Sequence, residues 1–410
     1  MSNRLTIDSA VLARVNRALE DVRAGKMIIL VDDEDRENEG DLYLAAELVT
    51  PDAVNFMARH GRGLICLALD EEQVERMDLP MMSVPGRRGP RLGTAFTVSI
   101  EAAEGVTTGI SAADRAHTIR VAINPNGRPS DLVTPGHVFP LKARPGGVLV
   151  RTGQTEGGVD LARMAGLRPC GVICEIMKDD GTMARMPDLE VFAKEHDLQI
   201  LSIADMIQYR LQTEVMVRCV GRRPMRLDQT GTEWVAAAYQ VDVENRHALA
   251  LVKGQVTTDD PVLCRVHSGS VIADLFSSTH SEGGANLRQA IDRIEKAGQG
   301  VVLYLPSQRS VADEFSSWVG TDAVPKAADS VTSLSDAELQ SRGQSKQILR
   351  KFGLGAQMLL DLGVRKLRLL SNSERKIAGL TGYGLEVVER VPLEANGSET
   401  RTTPNEDQHG

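Results

Sequence analysis

Residues 27–49, MIILVDDEDRENEGDLYLAAELV, decide the character of the first half of the chain. Residues 27–31 form an unbroken apolar run, typical of a buried strand, that ends abruptly in the acid-rich residues 32–41. Crowded like charges repel, so a bound cation or substrate hydroxyl groups would explain this loop, and a solvated acidic turn is the alternative. The ends of buried strands collect ligand-binding groups in α/β folds, which favours the functional interpretation.

Helices and strands alternate on both sides of this stretch. Thr50-Pro51, a cap followed by a first-turn proline, predicts a helix that ends at Gly61. Periodicity predicts further helices over 11–22, 111–122, 156–165 and 187–196, and strands over 64–69, 95–100, 147–151 and 171–176. A second α/β-type unit follows, with strands over 262–266, 301–305 and 366–370 and helices over 286–297 and 348–362. The pattern predicts an α+β or α/β protein.

Length and composition predict two domains. A chain of 410 residues with 42% hydrophobic content exceeds the usual single-domain size, and a helical pattern gives way to a new strand near 209–214. We therefore expect one domain over 1–210 and another over 214–393. The polar residues 321–346 and the tail 394–410 carry few apolar side chains, and we expect both to be disordered.

Composition also limits the partners. The net charge is −9 and only 3% of residues are aromatic, so we do not expect nucleic acid binding. No apolar stretch reaches the roughly 20 residues that a membrane span needs, and no apolar run follows the N-terminal basic residue. The cysteines are odd in number and form no CxxC pair, which argues against disulfides and thiolate zinc. A cytoplasmic location is expected. The cysteines are Cys66, Cys170, Cys174, Cys219 and Cys264.

Polar clusters at 104–108, 135–137 and 151–156 follow apolar strands or open helices. Thr107, Thr108 and Arg151 suit a phosphate group, whereas His137 suits proton transfer near neutral pH. Glu175 follows the apolar residues 172–174, where partial burial would raise its pKa. Taken singly, these residues are not specific, since a histidine after glycine is more often a loop residue and an arginine beside a strand usually forms an ion pair.

In combination and order, five segments closely resemble 3,4-dihydroxy-2-butanone 4-phosphate synthase of riboflavin biosynthesis. They are 32–41 (DDEDRENEGD), 104–115 (EGVTTGISAADR), 135–141 (PGHVFPL), 146–156 and 171–185. The resemblance covers about residues 8–210. It implies an α/β/α-layered domain, a homodimer and a lyase that converts D-ribulose 5-phosphate to L-3,4-dihydroxy-2-butanone 4-phosphate and formate with Mg²⁺ or Mn²⁺.

The resemblance also implies a role for individual residues. Proton transfer would fall to Asp41, Cys66, His137 and Glu175. The sugar phosphate would contact Arg36, Glu37, Asp41, Thr108, Arg151, Thr155 and Glu175. The metal would be held by Glu37 and by the residue at position 154, where better-known members have histidine in a Gly-His-Thr-Glu sequence and this chain has Gln154. A Gln carbonyl is an acceptable Mg²⁺ ligand but a weaker one for later transition metals. We expect retained activity with altered metal preference.

The second half resembles GTP cyclohydrolase II over about residues 214–393. The resemblance rests on residues 265–268 (RVHS), 353–357 (GLGAQ), 370–372 (LSN), 375–376 (RK) and 382–390 (GYGLEVVER). The three zinc-binding thiolates of that enzyme are replaced by Ser270, Ser281 and Gly283, and serine binds zinc poorly near neutral pH. Its Arg-Gln-Glu-Gly-Arg segment reads PSQRS at 306–310, and its catalytic Asp appears as Ile348, although Arg350 survives.

The sequence therefore predicts a synthase followed by a mixed α/β cyclohydrolase-like domain without zinc or cyclohydrolase activity. That second domain would serve in dimerisation, solubility or binding of a nucleotide or partner. Two alternatives stay open. One is a bifunctional enzyme with both activities, which the missing thiolates oppose. The other is a non-catalytic regulatory or scaffold protein in which Gln154 has disabled the first site as well.

Overall fold

The computed structural model describes residues 9–32, 36–82, 94–242, 246–257, 260–276, 283–307, 353–372 and 385–393. The chain divides into two compact units, with the main changeover between Val217 and Arg218. Each unit is built on its own seven-stranded sheet of mixed direction with helices packed against it. The predicted class, two separate mixed α/β domains, is confirmed. Within the described ranges, helices long and apolar enough to cross a bilayer are absent.

The first sheet has the strand order β4-β5-β3-β6-β2-β1-β7. Its strands are β1 (Ile28–Val31), β2 (Gly40–Ala45), β3 (Cys66–Leu69), β4 (Ile100–Ala102), β5 (Leu132–Lys142), β6 (Cys170–Glu175) and β7 (Gln199–Ser202). The helices are α1 (Ser9–Arg23), α2 (Pro51–Phe56), α3 (Glu71–Arg76), α4 (Ala112–Ala122), α5 (Gln154–Met164), α6 (Met186–His196) and α7 (Ile203–Thr213).

The two faces of this sheet are covered by different helices. Alternate side chains of a strand point to opposite faces, so Leu42 and Leu44 of β2 join the large core with Val54 of α2, Ile119 of α4 and Leu189 of α6. The other face packs against α5, whose Gly157 and Gly158 allow close approach. A Cβ at Gly157 would lie 2.8 Å from Leu30, and one at Gly158 would lie 3.3 Å from Tyr43. The result is an α/β/α sandwich.

The second unit has the strand order β14-β13-β11-β12-β10-β9-β8. Its strands are β8 (Val217–Leu227), β9 (Thr232–Val241), β10 (Arg246–Lys253), β11 (Val262–Ser268), β12 (Gly300–Leu305), β13 (Lys366–Leu370) and β14 (Glu386–Val391). Its helices are α8 (Val271–Phe276), α9 (Gly283–Ala297) and a helix at 353–361. Trp234 of β9 and the α9 residues Ala290, Ile291 and Ile294 are buried in its core.

Several predicted elements need correction. Residues 147–151 are not a strand, because Gly147–Leu149 form a 3₁₀ helix and Gly146 and Gly147 have positive φ angles that a strand does not allow. The strand predicted over 95–100 begins only at Ile100. The new strand expected after the helical pattern at 209–214 is β8, whereas β5, β7, β9 and β10 were not foreseen as such. Residues 321–346, 394–410 and 348–352 lie outside the described residues.

Candidate active site

One face of the first sheet gathers the predicted proton-transfer residues. Asp41 of β2 is the register partner of Glu175 on the antiparallel strand β6. Cys66 of β3 pairs with Ile173 on one side and with Phe139 of β5 on the other. Residues two apart on a strand share a face, so Glu175, Cys66 and His137 lie on the same side as Asp41. This is the side that α5 covers.

Asp41 and Glu175 form a pair of carboxyl groups that hold protons more tightly than usual. Burial raises the pKa of Asp41 well above its ordinary range, and the charges of Glu175 and Glu37 add to the effect. Burial also raises the pKa of Glu175, partly offset by backbone N–H groups, of which that of Leu64 donates to Glu175 Oε2 at 2.9 Å. Two such groups side by side share a proton more readily than they both ionise.

Cys66 lies beside these carboxyl groups but not as a thiolate. Burial raises the pKa of its thiol well above the ordinary value, and the neighbouring charges of Glu175 and Asp41 raise it further. Cys174, on the opposite face of the sheet, has its pKa raised to about 12 by burial and by Asp41. At neutral pH both groups are neutral thiols, so Cys66 can take part only as a weak hydrogen-bond donor or acceptor.

His137 and Thr108 lie in a third part of the site, around Glu101 of β4. The Nδ1 atom of His137 lies 2.6 Å from Glu101 Oε2, and the imidazole is half exposed. Gly109, which follows the exposed Thr108, packs against the same carboxylate. With strands spaced about 4.8 Å apart, His137 on β5 is about 10 Å from β6, so a molecule bound between them can reach both His137 and Glu175.

The acidic loop is organised by Asp32, the first residue after β1. Its carboxylate accepts backbone hydrogen bonds from Glu37 at 3.1 Å and from Glu39 at 2.8 Å. Asn38, with φ at 54°, reverses the chain in a left-handed conformation that asparagine tolerates. Arg185 donates to the carbonyls of Glu37 and Asn38. These contacts hold the Glu37 side chain at the site, whereas residues 33–35 lie outside the described part.

Arg36 joins the acidic loop to α5. Its Nη1 atom donates to Asp32 Oδ2 at 2.8 Å, to Glu37 Oε2 at 2.6 Å and to Gln154 Oε1 at 2.9 Å. Burial alone would lower the pKa of Arg36, but the charges of Glu37 and Asp32 outweigh it and the pKa is raised. The two predicted metal ligands, Glu37 and Gln154, therefore converge on one cationic nitrogen.

The N-terminus of α5 brings in the predicted phosphate-binding residues. Gly153 is the N-cap and offers no side-chain cap to the first amides of the helix, while Thr155 in the first turn is buried. A Cβ at Gly153 would lie 2.5 Å from Arg151 Nη1 and 3.1 Å from Arg36 Nη2, so the glycine lets both guanidinium groups lie close to this helix end. Arg151 also pairs with the buried Glu156 at 2.6 Å. Such a helix end, flanked by two arginines, suits a phosphate.

The donor set around Arg36 fits a hard divalent cation. Carboxylate and amide oxygens are the ligands that Mg²⁺ prefers, and the oxygens of Asp32, Glu37 and Gln154 already surround a positive charge. Among the described residues, groups of three or more His, Cys, Asp or Glu side chains arranged for a metal are absent. A metal here would therefore take few protein ligands and complete its shell with water and substrate oxygens, as Mg²⁺ commonly does.

Sequence reasoning did not single out four residues that hold this site together: Asp32, Glu101, Glu156 and Arg185. The sequence does carry a signal for Asp32 and Glu156, because Asp32 directly follows β1 and Glu156 lies in the first turn of α5 beside the predicted site residue Thr155. Glu101 gives no local signal, since its partner His137 is 36 positions away. Arg185 ends a quoted motif, but its contact with the acidic loop depends on tertiary packing.

In the second unit, Ser270 has a structural role. Its hydroxyl accepts from Ala273 N at 3.3 Å, and its N–H donates to Asp274 Oδ2 at 2.8 Å. Both bonds join Ser270 to the helix α8, which begins at the next residue. Asp274 also lies 3.0 Å from the buried His267 Nε2 and accepts from the Tyr304 hydroxyl at 2.9 Å. Gly283 begins α9, and Ser281 is outside the described residues. These contacts build a hydrogen-bonded centre on Asp274 rather than a zinc ligand set.

Comparisons with known proteins cover both halves of the chain. The family model for 3,4-dihydroxy-2-butanone 4-phosphate synthase matches residues 16–209, and that for GTP cyclohydrolase II matches residues 219–392. A riboflavin biosynthesis protein, RibBA, of Aquifex aeolicus is 50% identical over 92% of each chain. A 3,4-dihydroxy-2-butanone 4-phosphate synthase of Pseudomonas aeruginosa is 46% identical over 93% of this chain and all of its own.

One solved structure is similar to this chain over both domains. RibBX of A. baumannii, described as a two-domain 3,4-dihydroxy-2-butanone 4-phosphate synthase, is 40% identical and superposes with a TM-score of 0.73. The superposition covers 93% of this chain and all of the other. Relatives that match both halves of the chain carry different names. A rice relative that is 43% identical, over 92% of this chain and 67% of its own, is called a probable bifunctional riboflavin biosynthesis protein.

Proposed function

The chain belongs to the 3,4-dihydroxy-2-butanone 4-phosphate synthase family of riboflavin biosynthesis, and we propose that its first domain is the catalytic one and that its second domain is non-catalytic. The substrate is D-ribulose 5-phosphate, and the products are L-3,4-dihydroxy-2-butanone 4-phosphate and formate. Together the products have the composition of the substrate, so the reaction needs proton transfers and carbon rearrangement but no oxidant or reductant. The pairing of Asp41 with Glu175 carries this proposal.

Asp41 and Glu175 supply an acid and a base from two carboxyl groups. Because their pKa values are both raised and the groups adjoin, the pair retains a proton at a pH where isolated carboxyls would have lost it. The protonated member donates to a hydroxyl group that leaves as water, and the ionised member removes a proton from carbon. One water is taken up again before formate is released, so that the products together keep the composition of the substrate. His137, held by Glu101, exchanges protons at the other end of the bound sugar.

The phosphate of the substrate binds at the N-terminus of α5, between Arg36 and Arg151 and beside Thr155. The exposed Thr108 closes over the substrate from the loop that packs on Glu101. Glu37 and Gln154 would hold Mg²⁺ or Mn²⁺, which when bound stabilises negative charge on vicinal substrate oxygens. The other groups named here position the substrate, and Cys66 contributes a neutral thiol beside the carboxyl pair.

The second domain is non-catalytic because its zinc ligands are missing. Ser270 uses its hydroxyl as a helix cap and Gly283 has no side chain, so the groups that would bind zinc and activate water in a cyclohydrolase are lost. We further propose a cytoplasmic homodimer, as the resemblance to the synthase family implies. Light scattering on the full chain tests the dimer.

The test of the function is a reaction followed by proton NMR. Full-length protein with Mg²⁺ is expected to convert ribulose 5-phosphate to formate and the four-carbon product in equal amounts, and to leave GTP unchanged in the presence of zinc. Hydrolysis of GTP would instead establish the bifunctional alternative. Binding of ribulose 5-phosphate without turnover under Mg²⁺ or Mn²⁺ would support the non-catalytic one.

A further inference from the structure

Arg36 occupies a site that is built to hold a cation. Three oxygens, Asp32 Oδ2, Glu37 Oε2 and Gln154 Oε1, lie 2.6–2.9 Å from its Nη1 atom, and we call these three oxygens the oxygen cage. The Asp32 side chain is fully buried, and its carboxylate is fixed in addition by the backbone N–H groups of Glu37 and Glu39. Asp32 Oδ2 is therefore the fixed member of the cage.

Asp32 Oδ2, Glu37 Oε2 and Gln154 Oε1 converge on the point that Arg36 Nη1 occupies. Mg²⁺ binds oxygens at about 2.1 Å, so an ion held by this oxygen cage would lie close to the present position of Nη1. Two cations at that separation also repel strongly. The metal and the Arg36 guanidinium are thus alternatives in the oxygen cage.

The second arm of Arg36 shows where the side chain can go. Its Nη2 atom lies beside Gly153, at the N-terminus of α5, where Arg151 Nη1 approaches from the other side. A phosphate bound at this helix end would accept from both guanidinium groups. The Nη2 atom of Arg36 therefore already lies at the helix end where the phosphate is proposed to bind.

Building on the proposed function, we propose that Mg²⁺ displaces Arg36 from the oxygen cage and that the released guanidinium binds the substrate phosphate. Metal binding then strengthens phosphate binding, and by thermodynamic reciprocity phosphate strengthens metal binding by the same factor. Arg36 acts in this scheme as a resident cation that keeps the loop charge-balanced until metal and substrate arrive together. Gln154 suits the exchange, because its neutral amide oxygen accepts a hydrogen bond from a guanidinium and can also coordinate a hard metal ion.

The experiment measures Mn²⁺ binding to the full chain by electron paramagnetic resonance, with and without saturating inorganic sulfate as a phosphate-shaped dianion. In the wild type we expect sulfate to tighten Mn²⁺ binding at least about fivefold, the lower end of usual coupling factors. Arg36→Gln is expected to bind Mn²⁺ at least about fivefold more tightly without sulfate and to lose most of the coupling. Unchanged Mn²⁺ affinity, or a coupling factor equal to that of the wild type, would overturn the exchange.

Arg14→Gln is the matched control. It removes the same charge from the same domain, but the Arg14 guanidinium pairs with Asp205 and belongs to neither the oxygen cage nor the acidic loop. We expect its coupling factor to stay within about twofold of the wild type, and an equal loss in both variants would reduce the effect to general electrostatics. If Arg36→Gln does not fold, Arg36→Lys serves, with an intermediate loss because lysine keeps the charge but not the planar fork.

The outcome is separate from the test of the proposed function, because neither measurement requires turnover. Formate production by a wild type that shows no sulfate coupling would leave the synthase standing and remove the exchange. If the coupling depends on Arg36 but the protein produces no formate, the exchange stands and the synthase activity is removed.

Discussion

Asp41 and Glu175 lie directly opposite each other on the antiparallel strands β2 and β6, with their carboxyl groups on the face that α5 covers. Both pKa values are raised, chiefly by burial. A raised pKa means that the folded protein binds the proton more tightly than the unfolded chain does. The contribution to stability is therefore full below the unfolded-state pKa, near 4, and is lost as the pH rises through the folded-state value.

Asp41→Asn should consequently stabilise the fold at neutral pH while abolishing turnover. The amide removes a buried charge that Glu175 and Glu37 repel, and keeps the size of the side chain. Differential scanning calorimetry of metal-free protein should give a higher Tm for the variant at pH 8, by about 2–4 °C for each kcal/mol gained, and a smaller gain at pH 5. A lower Tm of the variant at pH 8 would contradict this prediction, because it would show that the surroundings stabilise the ionised Asp41 carboxylate.

Glu101 is expected to be a positioning residue for His137. It lies 2.6 Å from His137 Nδ1 and fixes which ring nitrogen faces the substrate. Glu101→Gln should lower kcat on the order of 10- to 100-fold with little change in KM, because a carboxylate that orients a functional histidine through its ring nitrogen carries factors of this size. Steady-state kinetics checks this. If kcat/KM instead fell by the same factor because KM rose while kcat was unchanged, Glu101 would belong to substrate binding.

Gln154→His should shift the metal preference. Imidazole is a better ligand than an amide oxygen for later transition metals and no better for Mg²⁺. The ratio of activity with Mn²⁺ to that with Mg²⁺ is expected to rise in the variant, and Mn²⁺ should bind more tightly. Gln154→Glu, which keeps an oxygen ligand, is the control and should retain the wild-type order. The same ratio in all three proteins would remove residue 154 from the metal site.

Zinc should be absent from the second domain and recoverable by substitution. The purified wild type is expected to hold far less than one zinc per chain by elemental analysis. The triple variant Ser270→Cys, Ser281→Cys and Gly283→Cys should take up about one, because three thiolates bind zinc strongly. Stoichiometric zinc in the wild type, located in the second domain, would return the bifunctional alternative.

Much of the site follows from the sequence because its residues stand where strands and helices end. Asp41, Cys66, His137 and Glu175 come from four strands, and the register of those strands puts them on one face. The acidic loop follows from the run after β1. What sequence alone did not give is the Arg36 contact with Gln154, since the two residues are 118 positions apart.

The errors in the predicted fold have local causes. Residues 147–151 contain valine and leucine, which favour a strand, but Gly147 and the preceding Gly146 have positive φ angles that impose a 3₁₀ turn. The strand β5 was missed because Pro135 and Gly136 in its middle are unfavourable in strands. The burial pattern of β8 is interrupted by four exposed arginines (218, 222, 223 and 226), so its alternation is weak in the sequence.

The carboxyl groups of the first domain are proposed to convert ribulose 5-phosphate into formate and the four-carbon phosphate. The most direct measurement is the rate of formate release by the wild type, Glu175→Gln and Glu37→Gln, each with Mg²⁺ and after chelation. We expect metal-dependent release by the wild type and a loss on the order of 10²-fold or more in either folded variant. Formate release that either variant retains at the wild-type rate, or none from the wild type with Mg²⁺ or Mn²⁺, would contradict the account.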